Sequence, residues 1–282
     1  LESCDLVVGE NTCDGKKKSY DAFGDLVDEL YTLDMPQRKG ESGRDLLRAE
    51  YRRFAAKLEE LAGRTITAVA LRESIEVVNA KRRAIARLNA LRAADPTPIS
   101  GRDALLVQQV SFYDDPRRFT DSVNALCDEL EQRIERHEGV APKGAPRVLV
   151  SGCPMAVPNW KLHSIIEKAG AIIVGEESCV GERGTQTLTA DSGRTVDELL
   201  DLIVERYLNI DCAIFTPKES RVQHIVSMAQ ESQAQGVIHY ALQFCSPYQI
   251  EAGPVEKQLE QEGVPPLRID TDYGQEDVVQ LR

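Results

Sequence analysis

The sequence predicts an α/β protein made of two parallel-sheet domains, the first incomplete in this chain, joined by a helical segment. Three observations carry this. From Pro146 onward, near-continuous apolar runs of strand length alternate with helical patterns; a strand–helix–strand pattern fills the start of the chain; and the stretch between holds apolar residues at helical spacing. Apolar strands that alternate with helices imply a parallel sheet covered on both faces. The expected divisions are 1–40 for the remainder of the N-terminal α/β domain, 41–145 for the linking helices and 146–282 for the C-terminal domain.

In chain order, the first strand is expected over Asp5 to Gly9, a helix from about Tyr20 to Leu30 and a strand from Tyr31 to Met35. This unit cannot bury both faces of a sheet alone, so further strands upstream of Leu1 are expected. Leu47, Tyr51, Phe54, Leu58 and Leu61 then recur at helical spacing, between Ser42 and Gly63. Leu71, Ile75, Val78, Ile85 and Leu88 continue the pattern to Pro96, and Val123, Leu126, Leu130 and Ile134 form a later stripe. Such stripes are packing faces. In the last part, the runs 147–152, 171–175, 212–215, 237–244 and 266–270 give a five-stranded doubly wound domain. Helices are placed at 158–168, at 195–208 with the capping pair Thr195 and Glu198, at 219–235 and at 254–262, with a final one near Gln275.

The 282 residues are 42% apolar and 28% charged, which excludes disordered, collagenous and coiled-coil classes. A net charge of −12 repels phosphate backbones and anionic membrane surfaces, so neither nucleic acid nor a membrane is an expected partner. No run of about 18 apolar residues exists, and LESCDLVVGE lacks the features of a secretion signal, so a cytoplasmic location is expected.

The seven cysteines include no CxxC pair. In parallel sheets, ligands bind beyond the carboxyl ends of the strands, and this separates functional cysteines from packing ones. Cys13, Cys153, Cys179 and Cys245 all follow expected strands. Cys4 and Cys212 lie at strand entrances and Cys127 on an apolar helix face, as packing residues would. The first group sits among glycine and proline (TCDGKKK, SGCPM, ESCVGERG, FCSPY), which let backbone approach a bulky group and stiffen it. Thiolates gathered at such an edge make a soft-metal site for iron–sulfur or zinc, whereas unconnected loop cysteines would have no common ligand. Zinc fits less well, because structural zinc uses closely spaced ligands and these run from Cys13 to Cys245.

Glu177 and Arg183 bracket Cys179, and the planar fork of Arg183 could bind a carboxylate or thioester oxygen of a substrate; a surface salt bridge is the plain alternative. Lys16, Lys17 and Lys18 either balance charge near Cys13 or form a solvated helix start. His163, His224 and His239 read as structural, and no catalytic residue is assigned.

Taken together, DLVVGENTCDGKKKSYD, SGCPMAVPNWKLHSIIEKAGAIIVGEESCVGERG, LQFCSPYQIEAGPVEK and RIDTDYG resemble the 2-hydroxyacyl-CoA dehydratase superfamily, and within it the double-cubane cluster proteins. The resemblance implies two flavodoxin-like domains, an oxygen-sensitive iron–sulfur cluster and a separate ATP-hydrolysing activator that injects low-potential electrons. It also implies a homodimer or heterodimer. In the dehydratases an electron converts the thioester of a 2-hydroxyacyl-CoA into a ketyl radical; in the double-cubane branch, linked four-iron units reduce small unsaturated molecules. Cys13 and Cys245 match cysteines shared across the superfamily, and Cys153 and Cys179 match additional ones of the double-cubane branch. The family carries further cluster cysteines upstream of DLVVG, so either upstream thiols, or Cys4 and Cys212, complete a double cubane, or the cluster is a single four-iron unit. The absence of GxxxxGK[ST] fits ATP hydrolysis by the partner. Three functions follow: a double-cubane reductase of a small substrate, a 2-hydroxyacyl-CoA dehydratase subunit, or a non-catalytic metal- or cluster-binding scaffold.

Overall fold

The structure is a computed structural model that describes residues 4–216 and 219–281. The chain forms two compact units. Among the described residues, the first comprises 4–76, 188–210 and 214–216; the second comprises 77–187, 211–213 and 219–281.

In the first unit, β1 (Val7–Glu10) and β2 (Leu30–Leu33) pair in parallel across the crossover helix α1 (Asp14–Gly24). Helix α1 starts six residues before the expected Tyr20, directly after Cys13, so the three lysines lie in its opening turns. Helix α2 (Glu41–Ala62) ends at Gly63, whose left-handed backbone (φ 63°) takes a glycine without strain. Tyr31 stacks on Phe54 with ring centroids 5.2 Å apart, which seats α2 on β2.

Helix α3 (Ala68–Leu91) contributes to both units, and α4 (Gly101–Val110) and α5 (Pro116–Glu135) belong to the second. The next helix in the first unit is α7 (Val196–Leu208), closed at its start by the expected capping box: Glu198 N–H donates to Thr195 Oγ1, and Thr195 N–H to the Glu198 carboxylate, both at 3.2 Å. Arg44, Arg48 and Arg52, spaced by four, meet Glu205, Asp201 and Asp197 in descending order at 2.5, 3.3 and 2.8 Å, so α2 and α7 run antiparallel in one fixed register.

The second unit is built on a parallel sheet of β3 (Arg147–Gly152), β4 (Ile172–Glu177), β5 (Gly236–Leu242) and β6 (Pro266–Thr271) in the order β4-β3-β5-β6. Numbered within the unit this is 2-1-3-4, the flavodoxin-like winding. Side chains alternate across the sheet: Val150 and Ile238 face a core shared with Leu105 of α4 and Leu162 and Ile166 of α6 (Lys161–Lys168). Leu149 and Val237 face the core of α8 (Glu219–Glu231) and α9 (Ser246–Gln261). A final short helix, α10, covers Val278–Leu281.

Two sequence expectations are corrected. The run 212–215 is not a strand, and the sheet has four strands among the described residues. Four apolar residues cannot by themselves distinguish a strand from a buried turn; here Phe215 is 5% exposed and packs beneath the Lys39 ammonium without any ladder. Helix α9 begins at Ser246 and runs through Pro254, which the sequence reading took for its start. No helix among the described residues is long and apolar enough to cross a membrane.

Candidate functional site

At the carboxyl edge of the second unit's sheet, strand β3 delivers a thiol through a glycine. Gly152 has φ 138°, and a Cβ there would lie 1.9 Å from the Tyr240 carbonyl oxygen, so no other residue fits. The close approach carries the ladder one step further, with Cys153 N–H donating to that carbonyl at 3.0 Å. The Cys153 sulfur lies 3.4 Å from the Leu242 amide, which donates to it, and forms a hydrogen bond with Cys245, the residue capping the start of α9.

The two thiols polarise each other. The Cys153 hydrogen bond and, next, burial raise its pKa far above the ordinary thiol value. The same bond lowers Cys245 to about 7, so of the two thiols Cys245 ionises first and Cys153 is the S–H donor. The backbone amide of Tyr248, in the first turn of α9, lowers Cys245 further.

A second pair stands beyond β4. Cys179 is hydrogen-bonded to Cys212, which raises its pKa, and Arg183 Nη1 donates to its sulfur at 3.2 Å. Arg183 lies in the 3-10 turn Glu182–Gly184 and is 1% exposed. Its remaining donors are also committed: Nε to Glu177 Oε1 at 2.7 Å, Nη2 to the carbonyls of Glu177 (3.2 Å) and Gly152 (3.3 Å), and Nη1 also to the Tyr248 hydroxyl.

Glu177, fully buried at the end of β4, also accepts from Arg221 Nη2 at 2.9 Å and Ser151 Oγ at 2.8 Å, and Arg221 bonds Glu251. Burial pushes the Glu177 carboxyl up, but the guanidinium groups of Arg183 and Arg221 outweigh it and hold the pKa below the ordinary carboxylate range. Two arginines and two glutamates balance in charge here, so the site carries buried ions without a surplus.

Of the residues singled out from sequence, Cys153, Cys179, Cys245, Glu177 and Arg183 therefore meet in one region of the second unit. Cys13 caps the start of α1 in the first unit. Cys127 is 0% exposed among Ala84, Leu88 and Phe119. Cys212 is not at a strand entrance but beside Cys179, in the 211–213 segment that joins the second unit. Sequence reasoning also passed over Ser151, Arg221, Tyr248 and Glu251. Tyr248, three residues after Cys245 on a helix, was legible as its neighbour; the pairing of Arg221 with Glu251 had no local signal.

Among the described residues, no three His, Cys, Asp or Glu side chains surround one ion-sized point. Four thiols grouped as two pairs suit a polynuclear sulfide-bridged core, whose ligands bind separate irons, better than one tetrahedral zinc.

Compared with known families, residues 1–282 match the 2-hydroxyglutaryl-CoA dehydratase D-component along the whole chain. The chain belongs to that family. It is 34% identical over 280 residues to a protein named as a dehydratase subunit, YjiM of Escherichia coli K12, covering 98% of this chain and 71% of that protein. It is 28% identical over 278 residues to the (R)-phenyllactyl-CoA dehydratase beta subunit of Clostridium sporogenes, covering 96% and 71%. One of the benzoyl-CoA reductase subunits of Thauera aromatica shares 23% over 240 residues, 83% of this chain and 59% of that one. The protein is thus an enzyme chain of the dehydratase or reductase type.

Proposed function

We propose that Cys153, Cys179, Cys212 and Cys245 hold an iron–sulfur cluster, and that the chain takes low-potential electrons from an ATP-hydrolysing activator and reduces a small substrate, as double-cubane proteins do. The observation that carries this reading is the convergence of four thiols from separate loops on one buried Arg–Glu network. A bound cluster supplies one-electron chemistry at low potential. The protein's part is to present the sulfurs. Cys245 is already about half thiolate near pH 7, Arg183 orients Cys179 and offsets thiolate charge, and Glu177 fixes Arg183. Every Arg183 donor is engaged within the protein, which favours a thiol-orienting role for Arg183 and Glu177 over direct substrate binding. Cys13 joins the ligand set on the sequence resemblance alone.

The names of the relatives support work with partner subunits, and the phenyllactyl-CoA dehydratase beta subunit favours a second reading, radical elimination of water from a 2-hydroxyacyl-CoA. Counting iron and acid-labile sulfide after anaerobic purification tests both. About eight irons per chain support the double-cubane reductase and about four the dehydratase. Cys179→Ala, Cys212→Ala and Cys245→Ala are each expected to lose iron while Cys127→Ala keeps it. Equal iron in all four variants, or zinc without sulfide, would overturn the assignment.

A further inference from the structure

Tyr248, buried in the first turn of α9, reaches both halves of the thiol site. Its backbone N–H meets Cys245. Its hydroxyl meets Arg183 Nη1, the same nitrogen that donates to Cys179 Sγ at 3.2 Å, so the hydroxyl oxygen and that sulfur are neighbours around one donor.

The side chain is restrained from several directions. Its ring centroid lies 5.5 Å from the Arg183 guanidinium carbon and 5.1 Å from that of Arg221, within cation–π range of both. His239 Nε2 donates to the Tyr248 carbonyl at 3.2 Å, and the two rings stand 6.4 Å apart. A residue tied at its amide, its carbonyl and its ring aims its hydroxyl in one direction.

That hydroxyl is half used. A guanidinium has no acceptor, so in the bond with Arg183 the Tyr248 oxygen accepts. A phenol also carries one proton of its own at neutral pH, and among the described residues that proton has no oxygen or nitrogen acceptor. A buried donor without an acceptor is costly, which gives its direction weight. Besides the two arginines, the ionisable groups that bear on the hydroxyl are the sulfurs of Cys212 and Cys179.

Taking the four cysteines as cluster ligands, as proposed above, we infer that Tyr248 accepts from Arg183 and donates its own hydroxyl proton to sulfur at the Cys179–Cys212 end of the ligand set. Hydrogen bonds to the sulfurs are one of the protein's means of setting an iron–sulfur potential. A donor draws electron density from sulfur and so favours the reduced form, which raises the potential. Arg183 supplies one such donor to Cys179, and Tyr248 supplies a neutral one beside it.

Tyr248→Phe tests this, because it keeps the ring and removes the hydroxyl alone. After anaerobic purification the variant is expected to hold as much iron and acid-labile sulfide as the wild type. Its midpoint potential should shift downward. Pulsed ENDOR of the reduced protein in D2O should show one exchangeable deuteron coupling fewer than in the wild type. Tyr113→Phe, which removes an exposed hydroxyl, should change neither. An unchanged or higher potential in Tyr248→Phe, or an unchanged set of couplings, overturns the role given to Tyr248 and leaves the cluster reading standing. Loss of iron from Tyr248→Phe overturns it as well, since the ring against the two arginines is retained. A wild-type chain without iron and sulfide overturns the cluster reading itself, and this hydrogen bond with it.

Discussion

Two regions of the second unit each bury a cysteine almost completely, and they do opposite things with it. Cys127, 0% exposed, sits on α5 in a core of Leu88, Phe119, Val123 and Leu130, where burial raises its pKa more than the Arg87 charge lowers it. Cys153, 2% exposed, also touches apolar side chains, Met155 and Leu162, yet it meets a second thiol, a backbone N–H and the approach to a four-residue ion network. Burial alone does not mark a working thiol. What differs is whether polar groups meet the sulfur, and those around Cys153 are delivered from β3, β4, α8 and α9 together.

The largest effect that could break this contrast comes from matched disruptions of the two regions. Glu177→Gln leaves Arg183 and Arg221 buried with one counter-charge fewer, and removing one partner of such an ion pair costs about 3–5 kcal/mol. Phe119→Ala empties the α3–α5 core and costs about 3–5 kcal/mol as well. Urea unfolding should find the two variants similarly destabilised. Only Glu177→Gln should change the alkylation rate of Cys179, because only there does Arg183 lose its anchor. Altered Cys179 reactivity in Phe119→Ala would show that the two regions are coupled through packing.

A smaller effect separates thiols by pH. With its pKa lowered from the usual thiol range to about 7, Cys245 is half thiolate near neutrality, and only the thiolate reacts with iodoacetamide. In metal-free protein its labelling rate should climb through pH 7 and level off by about pH 8. Replacing the hydrogen-bond donor, as Cys153→Ala, should move that midpoint upward toward the ordinary value. Peptide mass mapping follows each cysteine separately, and a midpoint that stays put in Cys153→Ala would break the donor–acceptor assignment.

Much of the site was legible in the sequence because a parallel sheet sends its strand ends to one edge. RVLVSG, AIIVG, VIHYALQF and PLRID all became strands, so Cys153, Cys179 and Cys245 could be placed from strand order alone. Cys212 could not. Its apolar neighbours suggested a fifth strand, and a residue at a strand's entrance belongs at the wrong edge; the structure instead makes 211–213 a crossing segment whose position depends on contacts far away in sequence. The ions behind the thiols were hidden for a related reason. Glu177 lies 44 residues from Arg221, and Arg221 lies 30 from Glu251, so only the tertiary fold reveals that their charges cancel. The linking helices show the reverse. Their apolar periodicity was plain, but α4, with Ala104, Leu105 and Gln108 inward over a mere ten residues, is too short for the pattern to stand out.

The smallest effect is the sharpest for the comparison, because it alters a single atom. Serine in place of cysteine keeps the shape and swaps a weakly polar sulfur for a hydroxyl that requires partners. At position 153 the Leu242 N–H and the Cys245 sulfur supply both a donor and an acceptor. At position 127 the core is apolar, and a helical serine would turn back to the carbonyl three or four residues earlier, which satisfies the hydroxyl in part. Cys127→Ser should therefore be less stable than Cys127→Ala by about 1 kcal/mol, while Cys153→Ser should be no less stable than Cys153→Ala. Thermal unfolding of the four metal-free variants measures both differences. If the serine–alanine gap were equal at the two positions, the polar character assigned to the Cys153 surroundings would be wrong, and the thiol edge would be packed like the helical core.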